Sequence, residues 1–120
     1  MKKYMYTIAC IMILAATLSS CSNKAFPTGT YTTTGQGSVE YRDDGTMTLW
    51  YGDDVVTTGT YSVEKNEIHF LHDTYCDEHY GGDATYKWQY EDGVLTFELI
   101  GEDLCDGRRN TTSQSYFGPQ

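Results

Sequence analysis

Apolar and polar side chains alternate along most of the chain from Gly29 onward, with a period of two residues. That period places successive side chains on opposite faces of a β-strand, and it differs from the spacing of three to four residues expected for an amphipathic helix. The pattern therefore predicts an all-β domain. The predicted strands lie near residues 29–35, 37–42, 46–52, 55–63, 67–72, 84–91, 94–100 and 111–117.

Short turn sequences separate several of these strands. Asp43-Asp44-Gly45, Lys65-Asn66 and Asp92-Gly93 contain residues that tolerate the positive φ of a tight hairpin. Eight antiparallel strands joined in sequence predict an up-and-down meander that closes into a small barrel. Alternate connections of a meander lie at the same end, so the three tight turns share one end, which we call the hairpin end. The longer connections then lie at the opposite end, which we call the long-loop end.

The phase of each strand predicts which side chains face the interior, because residues two apart share a face. The opposite face carries solvent-tolerant residues such as Thr48, Lys87 and Glu98, while Trp50 is expected as a surface aromatic. The predicted interior consists of Met47, Leu49, Tyr51, Tyr61, Val63, Ile68, Phe70, Tyr86, Trp88, Tyr90, Leu95, Phe97 and Leu99.

Two interpretations of this interior stay open at the level of sequence. An eight-stranded barrel is wide enough either to be filled by its own side chains or to hold one small ligand. The shortness of the strands favours a filled interior, whereas aromatic side chains that carry a polar group suit the lining of a binding pocket. The candidate ligand-binding residues are Tyr31, Tyr51, Tyr61, Tyr86, Trp88 and Tyr90.

The start of the chain differs from the rest. Met1-Lys2-Lys3 precedes a run without Asp, Glu, Lys or Arg that ends in Leu18-Ser19-Ser20-Cys21. Spanning a bilayer takes about 20 apolar residues, so an uncleaved anchor helix is the less favoured interpretation. The segment resembles a bacterial lipoprotein signal peptide, over residues 1–20. The resemblance implies that Cys21 carries lipid such as palmitate, that residues 21–28 form a short polar tether, and that the protein is exported and held in the cell envelope, at the outer membrane or cell surface of a Gram-negative host.

If Cys10 leaves with the signal peptide and Cys21 is lipidated, Cys76 and Cys105 are the two cysteines left in the domain. A pair of cysteines in an exported protein is expected to form a disulfide. The meander supports the same pairing, because both residues fall in connections at the long-loop end. A metal site is the less favoured alternative, since zinc–thiolate sites usually contain a closely spaced CxxC pair.

The densest group of possible metal ligands lies around the fifth strand. Its members are His69, His72, Asp73, Asp77, Glu78 and His79. Strand phase separates His69 from His72, although His72 and His79 could meet across the following loop. A solvated acidic loop is favoured because no recognised metal-binding spacing is present. The chain also lacks recognisable catalytic motifs, so we expect a protein without metal, cofactor or enzymatic activity.

The chain is strongly acidic, with 17 Asp and Glu against 8 Lys and Arg and a formal net charge of −9. Binding nucleic acid requires clustered basic side chains, so we expect no DNA or RNA partner. Many carboxylates fall in the connections of the long-loop end, which favours a partner that tolerates or prefers negative charge. The candidate partner-binding residues are Asp77, Glu78, Asp103 and Asp106.

Short motifs spread over nearly all of the domain carry a family resemblance. They are Gly29-Thr30-Tyr31, Asp44-Gly45-Thr46, residues 59–63, residues 66–70, Tyr86-Lys87-Trp88, residues 92–96 and residues 103–108. In this order they resemble small bacterial lipocalin-like lipoproteins, within the calycin group of ligand-binding barrels.

The resemblance implies that residues 29–120 form a lipocalin-like barrel that binds a small hydrophobic or amphipathic molecule. It also implies that Tyr31 replaces the tryptophan of the lipocalin Gly-x-Trp motif, with Arg108 or Arg109 packed across it. The alternative function is a non-enzymatic interaction or inhibitor module that presents its acidic loops to an envelope protein.

Overall fold

The computed structural model describes residues 25–79 and 82–120. The predicted signal peptide at residues 1–20 and the predicted lipidation site Cys21 lie outside the described residues. Over the residues that are described, no helix has the length and apolar character needed to cross a membrane.

The domain is a closed antiparallel β-barrel, as the meander predicted. Strand β8 pairs with both β7 and β1, and this double pairing closes the sheet. Two short helices, α1 (Thr74–His79) and α2 (Asp106–Thr112), are present among the described residues. The strands are β1 (Gly29–Thr33), β2 (Gly37–Tyr41), β3 (Thr46–Tyr51), β4 (Asp54–Glu64), β5 (Glu67–Asp73), β6 (Ala84–Glu91), β7 (Val94–Ile100) and β8 (Tyr116–Phe117).

The first seven strands agree with the predicted ones to within two residues at each end. The tight turns form where the turn residues predict them. Lys65 and Asp92 adopt φ values of 56° and 52°, and Gly45 and Gly93 also have positive φ. These backbone conformations match the twist of the flanking strands, so the local sequence fixes the register of three hairpins.

The prediction for the eighth strand is largely wrong. Residues 111–117 were expected to be extended, but α2 continues to Thr112, a turn follows it, and β8 has only two residues. The buried residues of α2 are Arg108 and Thr112, which are four residues apart and polar. A search for apolar periodicity cannot detect a helix whose buried face is polar.

Helix α1 was also missed, because residues 73–83 were expected to form a loop. The carboxylate of Asp73 lies directly before the helix and accepts hydrogen bonds from the backbone N–H groups of Tyr75 and Cys76, at 2.9 and 3.1 Å. A carboxylate in this position satisfies N–H groups that a helix leaves unpaired at its start. The acidic residue at position 73 therefore begins a helix as well as ending a strand.

Most of the predicted interior is buried, with Ile68 and Leu95 fully inaccessible. Tyr51, Val63 and Leu99 are exceptions, since 43%, 36% and 37% of their surfaces are exposed. Each lies at or near the end of its strand, where the barrel interior gives way to solvent. The opposite error is Thr48, which is buried because Arg42 lies over it and donates a hydrogen bond to its hydroxyl at 3.0 Å.

The hairpin end is plugged by a residue that was assigned to the polar tether. Phe26 is 8% exposed, and its ring packs nearly perpendicular to Tyr41 and Trp88, with centroid separations of 5.3 and 5.4 Å. The Tyr61 ring lies 5.9 Å away. Edge-to-face aromatic contacts add about 0.5–1.5 kcal/mol each beyond the burial itself. The segment that the sequence predicted to be a polar tether therefore packs into the barrel from Phe26 onward.

Candidate ligand-binding cavity

A cavity of about 290 Å³ occupies the long-loop half of the barrel. Its floor is Tyr41, which separates it from the aromatic cluster around Phe26. One side is apolar and buried and includes Val39, Met47, Leu49, Phe70 and Tyr116. The other side is covered by the two helices and is more polar. Its polar residues are Thr57 of β4, Asp73 at the end of β5, and Arg108 and Thr112 of α2. The exposed lining residues mark the mouth: Tyr51, Val56, Tyr75 and Asn110.

A disulfide between Cys76 and Cys105 holds the helical cover together, as the sequence predicted. It joins α1 to the residue before α2, with the two Cα atoms 5.5 Å apart. Both cysteines are buried, and Cys76 forms part of the cavity wall. For a sequence separation of 29 residues, the loss of chain entropy in the unfolded state corresponds to about 3.5 kcal/mol of stabilisation.

The two helices also meet at a glycine. A Cβ atom at Gly107 would lie 2.6 Å from Cε1 of Tyr75, so the tyrosine ring rests directly against the backbone of α2. Only a residue without a side chain permits this approach. The contact lies at the mouth of the cavity and sets the position of one of its walls.

Asp73 is fixed at the base of α1 by several hydrogen bonds. Its Oδ1 atom accepts from the Thr57 hydroxyl at 2.5 Å, in addition to the two backbone N–H groups of the helix. Asp73 pairs with Gly59 across β4 and β5, where a Cβ atom would lie 2.4 Å from the His72 carbonyl oxygen. The glycine allows the strands to approach closely, and this approach brings the carboxylate to the cavity wall.

A buried ion pair forms the neighbouring part of the wall. The Asp103 carboxylate accepts from Nη2 and Nε of Arg108 at 2.7 and 2.8 Å, and the two side chains are 0% and 4% exposed. The same carboxylate accepts from the Tyr86 hydroxyl at 2.5 Å and from the Cys105 N–H at 3.0 Å. Arg108 Nη2 also donates to the Gly82 carbonyl at 3.0 Å. This network ties α2 to β6 and to the disulfide.

The network shifts the ionisation of its members. Burial tends to raise the pKa of Asp103, but the hydrogen bonds from Arg108, Tyr86 and Cys105 outweigh it and lower that pKa. Burial tends to lower the pKa of Arg108, and the paired carboxylate raises it instead. Burial, followed by the hydrogen bond to Asp103, raises the pKa of Tyr86 to about 12. At neutral pH the pair is therefore ionised and the phenol is protonated.

Most of the predicted ligand-binding residues do not line the cavity. Tyr51 lies at its mouth, but the polar groups of the other five bind protein atoms. The partners are the Pro27 carbonyl for Tyr31, the Arg42 carbonyl for Tyr61, Asp103 for Tyr86, the Lys65 carbonyl for Trp88 and the Gly118 carbonyl for Tyr90. Apart from Tyr86, these side chains satisfy backbone groups at the hairpin end. The half of the barrel that contains them is filled, as one of the two sequence interpretations expected.

The four candidate partner-binding residues differ in their exposure. Asp77, Glu78 and Asp106 are exposed, whereas Asp103 is buried beneath Arg108. Oδ2 of Asp77 lies 3.7 Å from Nδ1 of His72. Asp106 forms an ion pair with Arg109 on the surface of α2. Within residues 25–79 and 82–120, no group of three His, Cys, Asp or Glu residues is arranged to hold a metal ion.

The arginine implied by the lipocalin resemblance is placed elsewhere. Helix α2, which carries Arg108 and Arg109, contacts α1 and β7 and makes no contact with β1, where Tyr31 lies. The Tyr31 hydroxyl instead donates a hydrogen bond to the backbone carbonyl oxygen of Pro27. The expected packing of an arginine across Tyr31 is therefore wrong.

Comparisons of the chain with models of protein families, with curated proteins and with solved structures find no match. The chemistry of the cavity must therefore be inferred from its own residues. Strand phase predicted Met47, Leu49 and Phe70 of the apolar wall but not Val39 or Tyr116, and it did not predict the polar wall. The sequence named Asp73 as a possible metal ligand and Arg108 through the family resemblance, but it placed neither residue beside a cavity. Asp73 lies there at the end of β5, and Arg108 lies there on α2, a helix that was not predicted.

Proposed function

We propose that this protein binds a small, largely apolar molecule in the cavity beneath its two helices. The supporting observation is the cavity itself, which is closed by aromatic rings at the hairpin end and open at the other. Ligand sites are commonly concave and apolar, with a few polar groups that orient the ligand. The volume of about 290 Å³ lies at the lower limit of such sites, which favours a compact ligand.

We place this activity in the bacterial cell envelope, on a lipid-anchored lipocalin-like protein. The support is the lipobox-like sequence that ends at Cys21, together with a buried disulfide of the kind that persists in oxidising compartments. Phe26 is seated in the barrel only five residues after Cys21, so the tether reaches at most about 18 Å. In this arrangement the hairpin end faces the membrane and the cavity opens away from it.

The binding proposal can be tested by native mass spectrometry of the full-length protein purified from its own host. We expect a small molecule bound to the wild-type protein and lost from a Val56→Trp variant, because Val56 lines the mouth and is 38% exposed. Val55→Trp is the matched control, since Val55 is 57% exposed and does not line the cavity. A ligand that survives Val56→Trp, or that is lost equally from both variants, would contradict the proposal.

A second candidate function is the presentation of the long-loop end to a partner protein. The observation in its favour is Leu104, which is 60% exposed and lies between the acidic residues Glu102 and Asp106. An exposed apolar residue within an acidic rim suits a partner surface that is both apolar and basic. Replacing Asp77, Glu78 and Asp106 by their amides should then weaken capture of one defined envelope protein and leave the mass of a bound small molecule unchanged.

A further inference from the structure

The carboxylate of Asp73 uses only one of its two oxygen atoms within the protein. Asp73 is 9% exposed and borders the cavity. Its Oδ1 atom receives all three hydrogen bonds that Asp73 accepts from the described residues, which leaves Oδ2 without one. In the same part of the chain, the fully buried polar side-chain atoms without a partner are Thr60 Oγ1 and Arg108 Nη1. Oδ2 of Asp73 is not among them, so it stays accessible to a ligand in the cavity.

The threonine hydroxyls beside Asp73 have already used their protons. Thr57 donates to Asp73 at 2.5 Å, and Thr111 and Thr112 donate to backbone carbonyls of α2 at 2.8 Å. A hydroxyl whose proton is engaged offers a ligand only its lone pairs. The donor groups of the lining that are not engaged in this way lie on the floor and toward the mouth, and include Tyr41, Tyr51 and Asn110. Beside Asp73 the wall therefore accepts hydrogen bonds and does not donate them.

The charge of Asp73 is not balanced within the protein. Among the described residues that line the cavity, only Asp73 and Arg108 have charged side chains. Arg108 is held by two hydrogen bonds of 2.7 and 2.8 Å to Asp103, which does not line the cavity, and the side chain of Arg108 is 4% exposed. None of the ion pairs in the described part of the chain includes Asp73. The arginine is therefore compensated by Asp103, and the negative charge of Asp73 is left over.

A cationic group suits this wall better than an uncharged or an anionic one. A buried carboxylate usually has a positive partner, because an isolated charge is costly to remove from water. An ammonium group supplies that charge, and its three N–H groups donate without accepting. An uncharged hydroxyl could donate to the same oxygen, but it would leave the charge uncompensated, and a hydrogen bond between ionised groups is about twice as strong. A ligand carboxylate would add a second unbalanced negative charge.

We infer that the ligand is a compact amine, protonated at neutral pH, whose ammonium group binds Oδ2 of Asp73 while its apolar part contacts Met47, Leu49 and Phe70. The inference rests on the proposed binding function and adds the chemical class of the ligand. A volume near 290 Å³ equals about ten water molecules at about 30 Å³ each, which suits one ring with a short aminoalkyl group.

Two probes of nearly the same size and shape test the charge of the ligand: benzylamine, which is protonated at neutral pH, and benzyl alcohol, which is uncharged. Benzoate is the anionic probe. Each is titrated into the full-length protein at about 0.15 M salt, which screens attraction to the acidic surface. The methyl NMR signals of Met47 and Leu49, which line the cavity, report binding.

We expect benzylamine to bind at least about tenfold more tightly than benzyl alcohol, and benzoate to bind most weakly, because only benzylamine compensates the charge of Asp73. Benzyl alcohol or benzoate that binds as tightly as benzylamine would overturn the inference.

An Asp73→Asn variant tests the assigned partner of the ammonium group. The amide keeps an oxygen for the hydrogen bonds of α1 and places an NH₂ group where Oδ2 was, so the preference for benzylamine over benzyl alcohol should fall below about threefold. Asp77→Asn is the matched control, because it removes the same charge from the exposed surface of the same helix and should keep the full preference. A folded Asp73→Asn variant that retains the preference would contradict the role assigned to Asp73.

The outcomes separate this inference from the proposed function. If none of the probes shifts the Met47 and Leu49 signals, the cavity does not bind small molecules and the proposed function fails. If benzyl alcohol binds as well as benzylamine, the cavity binds ligands and only the inferred chemical class is wrong. Should Asp73→Asn fail to fold, the ratio of benzylamine to benzyl alcohol affinity in the wild-type protein decides.

Discussion

The two halves of the barrel are stabilised by different kinds of contact. At the hairpin end the interior is filled ring against ring by Phe26, Tyr41, Tyr61 and Trp88. The Tyr61 hydroxyl and the Trp88 indole N–H donate to nearby backbone carbonyls. At the long-loop end a cavity remains between an apolar wall and two short helices. That half is held by a disulfide and by a buried ion pair. The hairpin end is therefore held by close ring packing, whereas the two helices over the cavity are held in place by only a few strong interactions.

The difference matters because packing and access to ligand compete in a barrel this narrow. Ring packing leaves no space for another molecule, and each ring gains contacts on all sides. A cavity gives up such contacts and must be supported in another way. In this protein the cross-link and the Asp103–Arg108 pair provide that support where the helices cover the interior.

Two leucine substitutions give the largest expected contrast. Leu95→Ala in the filled half should destabilise the protein by about 4 kcal/mol, because the side chain is fully buried and its removal creates a new void. Leu49→Ala should cost only about 2 kcal/mol, since that side chain already borders the cavity and has fewer contacts to lose. Urea unfolding of both variants measures the difference, and equal losses would show that the two halves are packed alike.

The second prediction concerns the covalent link over the cavity. Replacing Cys76 and Cys105 together by Ser should lower the free energy of unfolding by about 3.5 kcal/mol, because the unfolded chain regains the entropy of a closed loop. Methyl signals of Met47 and Leu49 should broaden in the variant, whereas those of Ile68 and Leu95 in the filled half should not. Uniform broadening in both halves would mean that the disulfide supports the whole barrel and not mainly its cover.

The third prediction compares two ion pairs made by neighbouring arginines. Asp103→Asn should cost about 3 kcal/mol, because it leaves the guanidinium of Arg108 buried without a counter-charge. Asp106→Asn removes the exposed partner of Arg109 and should change stability by less than about 0.5 kcal/mol. Thermal or chemical unfolding distinguishes the two variants. Similar small losses of stability in both would show that the Asp103–Arg108 pair does not stabilise the long-loop end.

The Asp103 pair also predicts how stability depends on pH. The pKa of Asp103 is lowered in the folded protein, so its contribution is present at neutral pH and is lost as the pH falls below about 4. The wild-type protein should therefore lose stability in acid more steeply than Asp103→Asn. Parallel acid-unfolding curves would indicate that this carboxylate is not stabilised by folding.

The smallest effect is expected in the alkaline titration of the tyrosines. Folding raises the pKa of five of them, Tyr31, Tyr41, Tyr61, Tyr86 and Tyr116, mainly through burial. The pKa values of Tyr61 and Tyr86 rise to about 12. The stability that their protonated phenols contribute is therefore present below pH 10 and is lost between about pH 10 and 12. Ultraviolet absorbance at about pH 11 should show these phenols protonated in the native protein and ionised in denaturant.

The sequence predicted the filled half better than the cavity, for a physical reason. Residue alternation and turn chemistry are local signals, so they specify seven strands and the phase that buries residues such as Ile68, Trp88 and Leu95. The polar wall depends on contacts distant in sequence, such as Tyr86 with Asp103 and Thr57 with Asp73. Such pairs produce no periodic pattern in the sequence. Asp103 was therefore predicted to be an exposed carboxylate of the long-loop end.

One signal for the helical cover was nevertheless present in the sequence. Asp73-Thr74 follows a strand and precedes Cys76, and an aspartate at that position is a common start of a helix. No comparable pattern marks α2, whose buried residues are Arg108 and Thr112. The disulfide could be predicted because it required only the expectation of an exported protein and the topology of the meander.

The contrast between a filled half and an open half is tested most directly by xenon bound in crystals of the protein. Xenon enters apolar cavities and reports space that is accessible without chemical modification. We expect one xenon site beside Val39, Met47 and Leu49 and none among the rings of Phe26, Tyr61 and Trp88. Xenon between those rings, or no xenon beside Leu49, would contradict this expectation.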